Sequence, residues 1–113
     1  MIFKSPKNNS DFSWTNHVFG KMIYYGISEG VIRRVINSPH RREVGIAPET
    51  VAVMQKSGTG KNPKEIWVMY CKDGSKKRII TAWRYPGISP VRDEIPIPDD
   101  ILEMLSSEFN MKI

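Results

Sequence analysis

EIWVMYCKDGSKKRIITAWRY, residues 65–85, is the stretch on which the fold turns. Two runs rich in β-branched and aromatic residues, IWVMYC and IITAW, flank Lys72-Asp73-Gly74-Ser75. The Asp-Gly pair supplies the positive backbone φ of a tight hairpin turn, so the spacing predicts antiparallel strands over 65–72 and 77–85. Both faces of each run carry apolar side chains, which marks the pair as the covered centre of a sheet. Helices must then close at least one of its faces.

Upstream, short β-rich segments bounded by Gly, Pro, Asn and Asp predict two further strands near 41–45 and 50–55. Before Pro39 the period is helical. Thr15 or Asn16 caps a first helix that ends at Gly26. Ser28 caps a second, with Ile27 and Ile32 placed as a hydrophobic staple. Ser38-Pro39 stops it after about Asn37, because proline disfavours helical geometry in the residue before it. Downstream, YPGISPVRDEIPIP (85–98) holds four prolines in fourteen residues and reads as an extended connector. A last helix is expected from about Asp100 to Phe109, its dipole complemented by Asp99 and Asp100, its apolar stripe formed by Leu102, Leu105 and Phe109.

The expected architecture is α+β: two N-terminal helices packed on a four-stranded, mostly antiparallel sheet, plus a C-terminal helix. Along the chain this gives a flexible arm over 1–11, a core domain over 12–87, a proline-rich connector over 88–98 and an acidic C-terminal helix over 99–113.

A chain of 113 residues suits one domain with a single core. Cys71 is the only cysteine and cannot make an internal disulfide, and the opening MIFKSPKNNSDF lacks the apolar core of a signal peptide. No apolar run approaches the ~20 residues that span a bilayer. A cytoplasmic protein without a membrane role is expected.

The charges are segregated. Residues 1–92 hold sixteen basic and six acidic side chains, a net of +10, whereas 93–113 hold one and six, a net of −5. A basic body with an acidic tail suggests a polyanion partner, nucleic acid in particular, although basic surface also serves solubility. The same asymmetry raises the expectation that residues 93–113 lie across the basic surface until RNA or a protein displaces them; an ordinary core-covering helix is the alternative.

Several chemistries lack their motifs. SGTGK (57–61) imitates a phosphate-binding loop, but Gln55 stands where that loop needs glycine and Asn62 where it needs Ser or Thr. One cysteine and two distant histidines give no metal-ligand spacing, and no cofactor is implied. Cys71, within an apolar strand, reads as a small buried hydrophobe. No Gly-x-Ser-x-Gly elbow or carboxylate pair supports ester or glycoside hydrolysis.

What remains is the first helix and the basic clusters. His17, Lys21 and Tyr24 fall at i, i+4 and i+7, which gathers an imidazole, an ammonium and a phenol on one face beside Gly20. A mid-helix glycine costs about 1 kcal/mol and leaves room for another chain. The plainer alternative has His17 at a helix start and Lys21 solvated. Arg33 and Arg34 precede His40, Arg41 and Arg42; Lys76, Lys77 and Arg78 follow the hairpin turn. Arg84, inside a strand pattern, must be paired or clamp an anion.

NHVFGKMIYYGISEGVIRRVINSP (16–39) resembles the helical opening of the domain-of-unknown-function 4258 family. That pattern runs His-Ala, a basic residue four after the His, then Arg-Gly-Ile-Ser before a second helix. His17, Lys21 and Gly26-Ile27-Ser28 match it, while Val18 replaces the Ala and Tyr25 the Arg. The resemblance continues to IITAWRYPG, covering about residues 12–87; the acidic tail lies outside it. The family is similar to BrnT-type and RelE-type toxins, small α+β ribonuclease-like domains, so the resemblance implies a ribonuclease-like fold and an antitoxin-like protein partner.

On that basis the expected reaction is metal-independent attack of a ribose 2′-hydroxyl on the adjacent phosphate. His17 would be the acid/base, its imidazole poised near pH ~6.5. Lys21 and Arg84 would hold the phosphate, and Tyr24 would stack on a base or donate a second proton. Arg33, Arg34, Arg41, Arg42, Lys76, Lys77 and Arg78 would track the backbone. The rivals are a non-catalytic nucleic-acid-binding module and a protein-interaction module. Catalysis demands that the imidazole and the Arg84 guanidinium share one hollow open to solvent.

Overall fold

The computed structural model describes residues 6–90 and 94–108. Eight elements follow in order: β1 Phe12–Trp14, α1 Asn16–Tyr25, α2 Glu29–Asn37, β2 Arg41–Val44, β3 Thr50–Gly58, β4 Pro63–Asp73, β5 Lys76–Pro86 and α3 Asp99–Glu108. The class is the expected α+β. The strands form one five-stranded sheet in the order β1-β5-β4-β3-β2, antiparallel except for the parallel β1–β5 pair.

The fifth strand corrects the expected four. Phe12, Ser13 and Trp14 pair with Lys77, Arg78 and Ile79. Three residues are too few for a periodic signal, and a parallel partner far along the chain leaves no turn signature. Nor is the preceding segment loose at its end. The Asn9 side chain accepts from the Asp11 and Phe12 amides, and that of Asn8 from the Trp14 amide.

Local chemistry sets the helices. Thr15 Oγ1 accepts from the Val18 amide at 3.1 Å and donates to the Ile80 carbonyl at 3.0 Å, so one hydroxyl both caps α1 and ties it to β5. Gly26, at φ 66°, closes α1 in the left-handed conformation that glycine takes without strain. Ser28 caps α2 through the Val31 amide.

Each face of the sheet has its own core. α1 and α2 cover Val53, Ile66, Val68, Tyr70, Ile79 and Ala82, with Val18, Met22, Ile32 and Val35 from the helices. On the other face Ile95 and the α3 residues Ile101 and Leu105 cover Ala52, Met54, Trp67, Met69, Ile80 and Trp83. Trp67 and Trp83 stack there, ring centroids 5.8 Å apart. A bulge makes that stack possible. Tyr70 pairs with Ile79 but Met69 with Thr81, so Ile80 is an extra residue that inverts the alternation of β5 beyond it. Among the described residues no helix is long and apolar enough to cross a membrane. The C-terminal part of the expected last helix, Phe109 included, lies outside the described residues.

Candidate nucleic-acid interface

His17 sits in the first turn of α1, half-buried, and shares a 3.0 Å hydrogen bond between its Nε2 and the Oγ1 of Thr81 beside the bulge. Burial, then the neighbouring Lys21 ammonium, lowers its pKa below 6.5; Glu108 and Asp100 on α3 partly oppose this. Lys21, one turn on, pairs with Asp100, and that hydrogen bond holds the carboxyl below its ordinary value. The Lys21 ammonium also lies 5.3 Å from the ring centroid of Tyr24, which is 75% exposed. The helix thus gathers the three side chains on one flank as its spacing requires.

Arg84 is not with them. Its Nε donates to the Tyr25 carbonyl at 2.7 Å and a terminal nitrogen to the Gly26 carbonyl at 3.1 Å, so the guanidinium closes the C-terminal end of α1. His17 stands at the other end of that helix, and the eight-residue rise between 17 and 25 is about 12 Å. The shared hollow that catalysis demanded is therefore corrected to two separate places. Each of the three groups proposed for chemistry already has a partner within the chain.

The basic clusters divide in the same manner. Arg33 pairs with Glu29 at 3.0 Å and lies over the Phe12 ring. Arg34, on the exposed flank of α2, donates from Nε to the Gln55 side chain at 3.0 Å. Arg41 is corrected from a backbone contact to a core group: its side chain is 7% exposed, lies over Trp67, and bonds Glu43 and Ser89. Its neighbour Arg42 is exposed, because successive residues of β2 face opposite ways. Of the cations after the hairpin turn, Lys77 lies over the Tyr70 ring, Lys76 pairs in register with Asp73, and Arg78 is exposed.

Sequence reasoning passed over Glu65. This carboxylate is 1% exposed and accepts from Trp67 Nε1, Ser89 Oγ and the Ser89 amide. A charge opening an otherwise apolar strand was the available signal. It fastens the segment after β5 beneath the sheet, next to Arg41.

Over its described residues the tail is mostly a core element. α3 buries Ile101 and Leu105 completely, which is the core-covering alternative, and its Asp100 pairs with the candidate side chain Lys21. Among the described residues no three His, Cys, Asp or Glu side chains gather as a metal site. No known protein family, no curated protein and no solved structure matches this chain.

Proposed function

We propose that this protein is an RNA-binding module that grips phosphates through its basic surface and does not itself cleave. The observation that carries this is the internal commitment of all three groups assigned to chemistry: His17 to Thr81, Lys21 to Asp100, and Arg84 to the end of α1. A general acid/base must reach the proton it moves, and a phosphate clamp must face that same phosphate. Here the imidazole and the guanidinium serve different ends of one helix. The net +10 of residues 1–92 favours a polyanion, and the sequence resemblance of residues 12–87 to a family that is itself similar to ribonuclease-like toxins favours RNA.

The test is one assay with two readouts. Purified protein is titrated against labelled RNA from about 50 to about 200 mM salt, and cleavage of mixed RNA is followed in chelator. Six to ten phosphate contacts predict a loss of affinity of roughly a thousandfold or more across that range, with the RNA left intact. Cleavage that vanishes in the His17→Ala variant would restore the ribonuclease. Absence of binding at the lowest salt would leave a protein-interaction module.

A further inference from the structure

We infer that the polyanion is held at one rim of the sheet, where Arg34, Lys64 and Arg84 form a pre-set row for consecutive phosphates. This rests on the RNA-binding proposal above and names the surface that performs it. The register places the row. Gln55 of β3 pairs with Ile66 of β4, and Ile66 with Arg84 of β5; one step outward, Ser57 pairs with Lys64 and Lys64 with Pro86. Ile66 is buried under α1 and α2, so Lys64, two residues before it, stands on the same face, and it is exposed.

The two arginines are held from beneath. Gln55, only 8% exposed, accepts from Arg34 Nε and donates its own amide to the Ser38 carbonyl at 3.0 Å, which fixes one edge of an exposed guanidinium. The Tyr25 and Gly26 carbonyls do the same for Arg84. An arginine anchored through part of its fork keeps other N–H groups for a ligand and loses little entropy on binding. Gln55 and Arg84 lie two strand spacings apart, about 10 Å. One phosphate cannot bridge that distance, so the row fits a phosphate chain rather than a small anion.

The acidic side chains of the body fall elsewhere. Glu65 is buried against the other face, Glu43 pairs with Ala52 of that same face, and Asp73 belongs to the turn at the opposite end of the strands, the end at which Asp11 precedes the Phe12–Lys77 pair and Glu49 precedes the Thr50–Cys71 pair. Glu29 is taken by Arg33 over Phe12. The hairpin cations Lys76 and Arg78, by contrast, share their end with Asp73. They therefore make a control of equal charge.

A fluorescein-labelled oligouridylate of about twelve nucleotides is titrated against wild type, Arg34→Ala/Lys64→Ala and Lys76→Ala/Arg78→Ala, with circular dichroism confirming each fold. The rim variant is expected to bind roughly tenfold or more weakly at ~50 mM salt and to flatten the slope of log affinity against log salt by about 1–2. The hairpin variant should stay within about threefold of wild type. Uridine monophosphate should compete only weakly. Equal losses in both variants, or competition by the monophosphate as strong as by the oligomer, would overturn the rim while leaving RNA binding intact. A wild type that binds no oligomer would overturn both proposals.

Discussion

The two faces of the sheet are closed by different means. Beneath α1 and α2 the contacts are aliphatic and aromatic, and the buried polar side chain at their margin, Gln55, points an arginine outward. Beneath α3 the apolar layer carries a polar seam, Glu65 with Ser89, Trp67 and Arg41, that draws an arginine inward. Two arginines that look alike in sequence, Arg34 and Arg41, thus end as exposed surface and as core. What separates them is the acceptors they find: a neutral amide at the rim for Arg34, and for Arg41 the Glu43 carboxylate together with a hydroxyl locked to a buried carboxylate. An apolar face tolerates small volume changes gradually, whereas a seam of interdependent donors fails when one acceptor goes.

The largest effect should follow from Glu65→Ala. The substitution strips partners from Trp67 Nε1, the Ser89 amide and Ser89 Oγ in a site closed to water, and should cost about 3–5 kcal/mol. Urea unfolding monitored by tryptophan fluorescence measures it. On the other face Ile32→Val removes one methylene from a fully buried side chain and should cost about 0.5–1.5 kcal/mol. Equal costs for the two would mean that the seam holds nothing and that the faces are alike.

A middle-sized effect concerns pH. His17 has a folded pKa below 6.5, so the native state favours the neutral ring and the unfolded chain binds more protons as pH falls. The contribution of this residue to stability is full above pH 6.5 and is lost as pH descends from there through the folded value. Asp100 acts lower: its depressed pKa stabilises the fold above 3.8 and the gain disappears as pH drops below that. The urea midpoint should therefore decline on acidification from pH 6.5 in wild type, and decline less in His17→Gln. Identical profiles would show that burial and the Lys21 ammonium do not hold the His17 ring toward its neutral form.

Much of this contrast is written in the chain, but not all of it. The hairpin over 65–85, both helix starts and the C-terminal helix follow from nearest-neighbour chemistry: an Asp-Gly turn, Thr15 and Ser28 hydroxyls, aspartates at a helix start. The site was harder, because side-chain direction in β5 depends on the bulge at Ile80. Strict alternation from Ile79 would send Arg84 to the α3 side; the inserted residue turns it toward α1 and turns Trp83 onto Trp67. No local pattern announces that insertion. The fate of Arg41 was equally hidden, since it depends on where the proline-rich segment lays Ser89.

The smallest effect separates the apolar from the ionic part of the α3 contact. Lys21 and Asp100 form a pair whose carboxylate side is 55% exposed, so Lys21→Ala should cost only about 0–1 kcal/mol. Its electrostatic consequence is clearer than its energetic one. With the ammonium gone, a cause that lowers the His17 pKa is removed, and the main cause that lowers Asp100 goes with it. Both values should rise, as followed by the His17 ring protons and the Asp100 carboxyl carbon in an NMR titration, while the unfolding midpoint barely moves. A loss above about 2 kcal/mol would instead make the ion pair the latch of α3. The acidic tail would then be held by charge alone, and a polyanion competing for Lys21 could release it. With Ile101 and Leu105 fully buried in the same cluster as the tryptophan stack, the apolar contact must dominate, and the proposed grip on RNA would have to form with α3 in place.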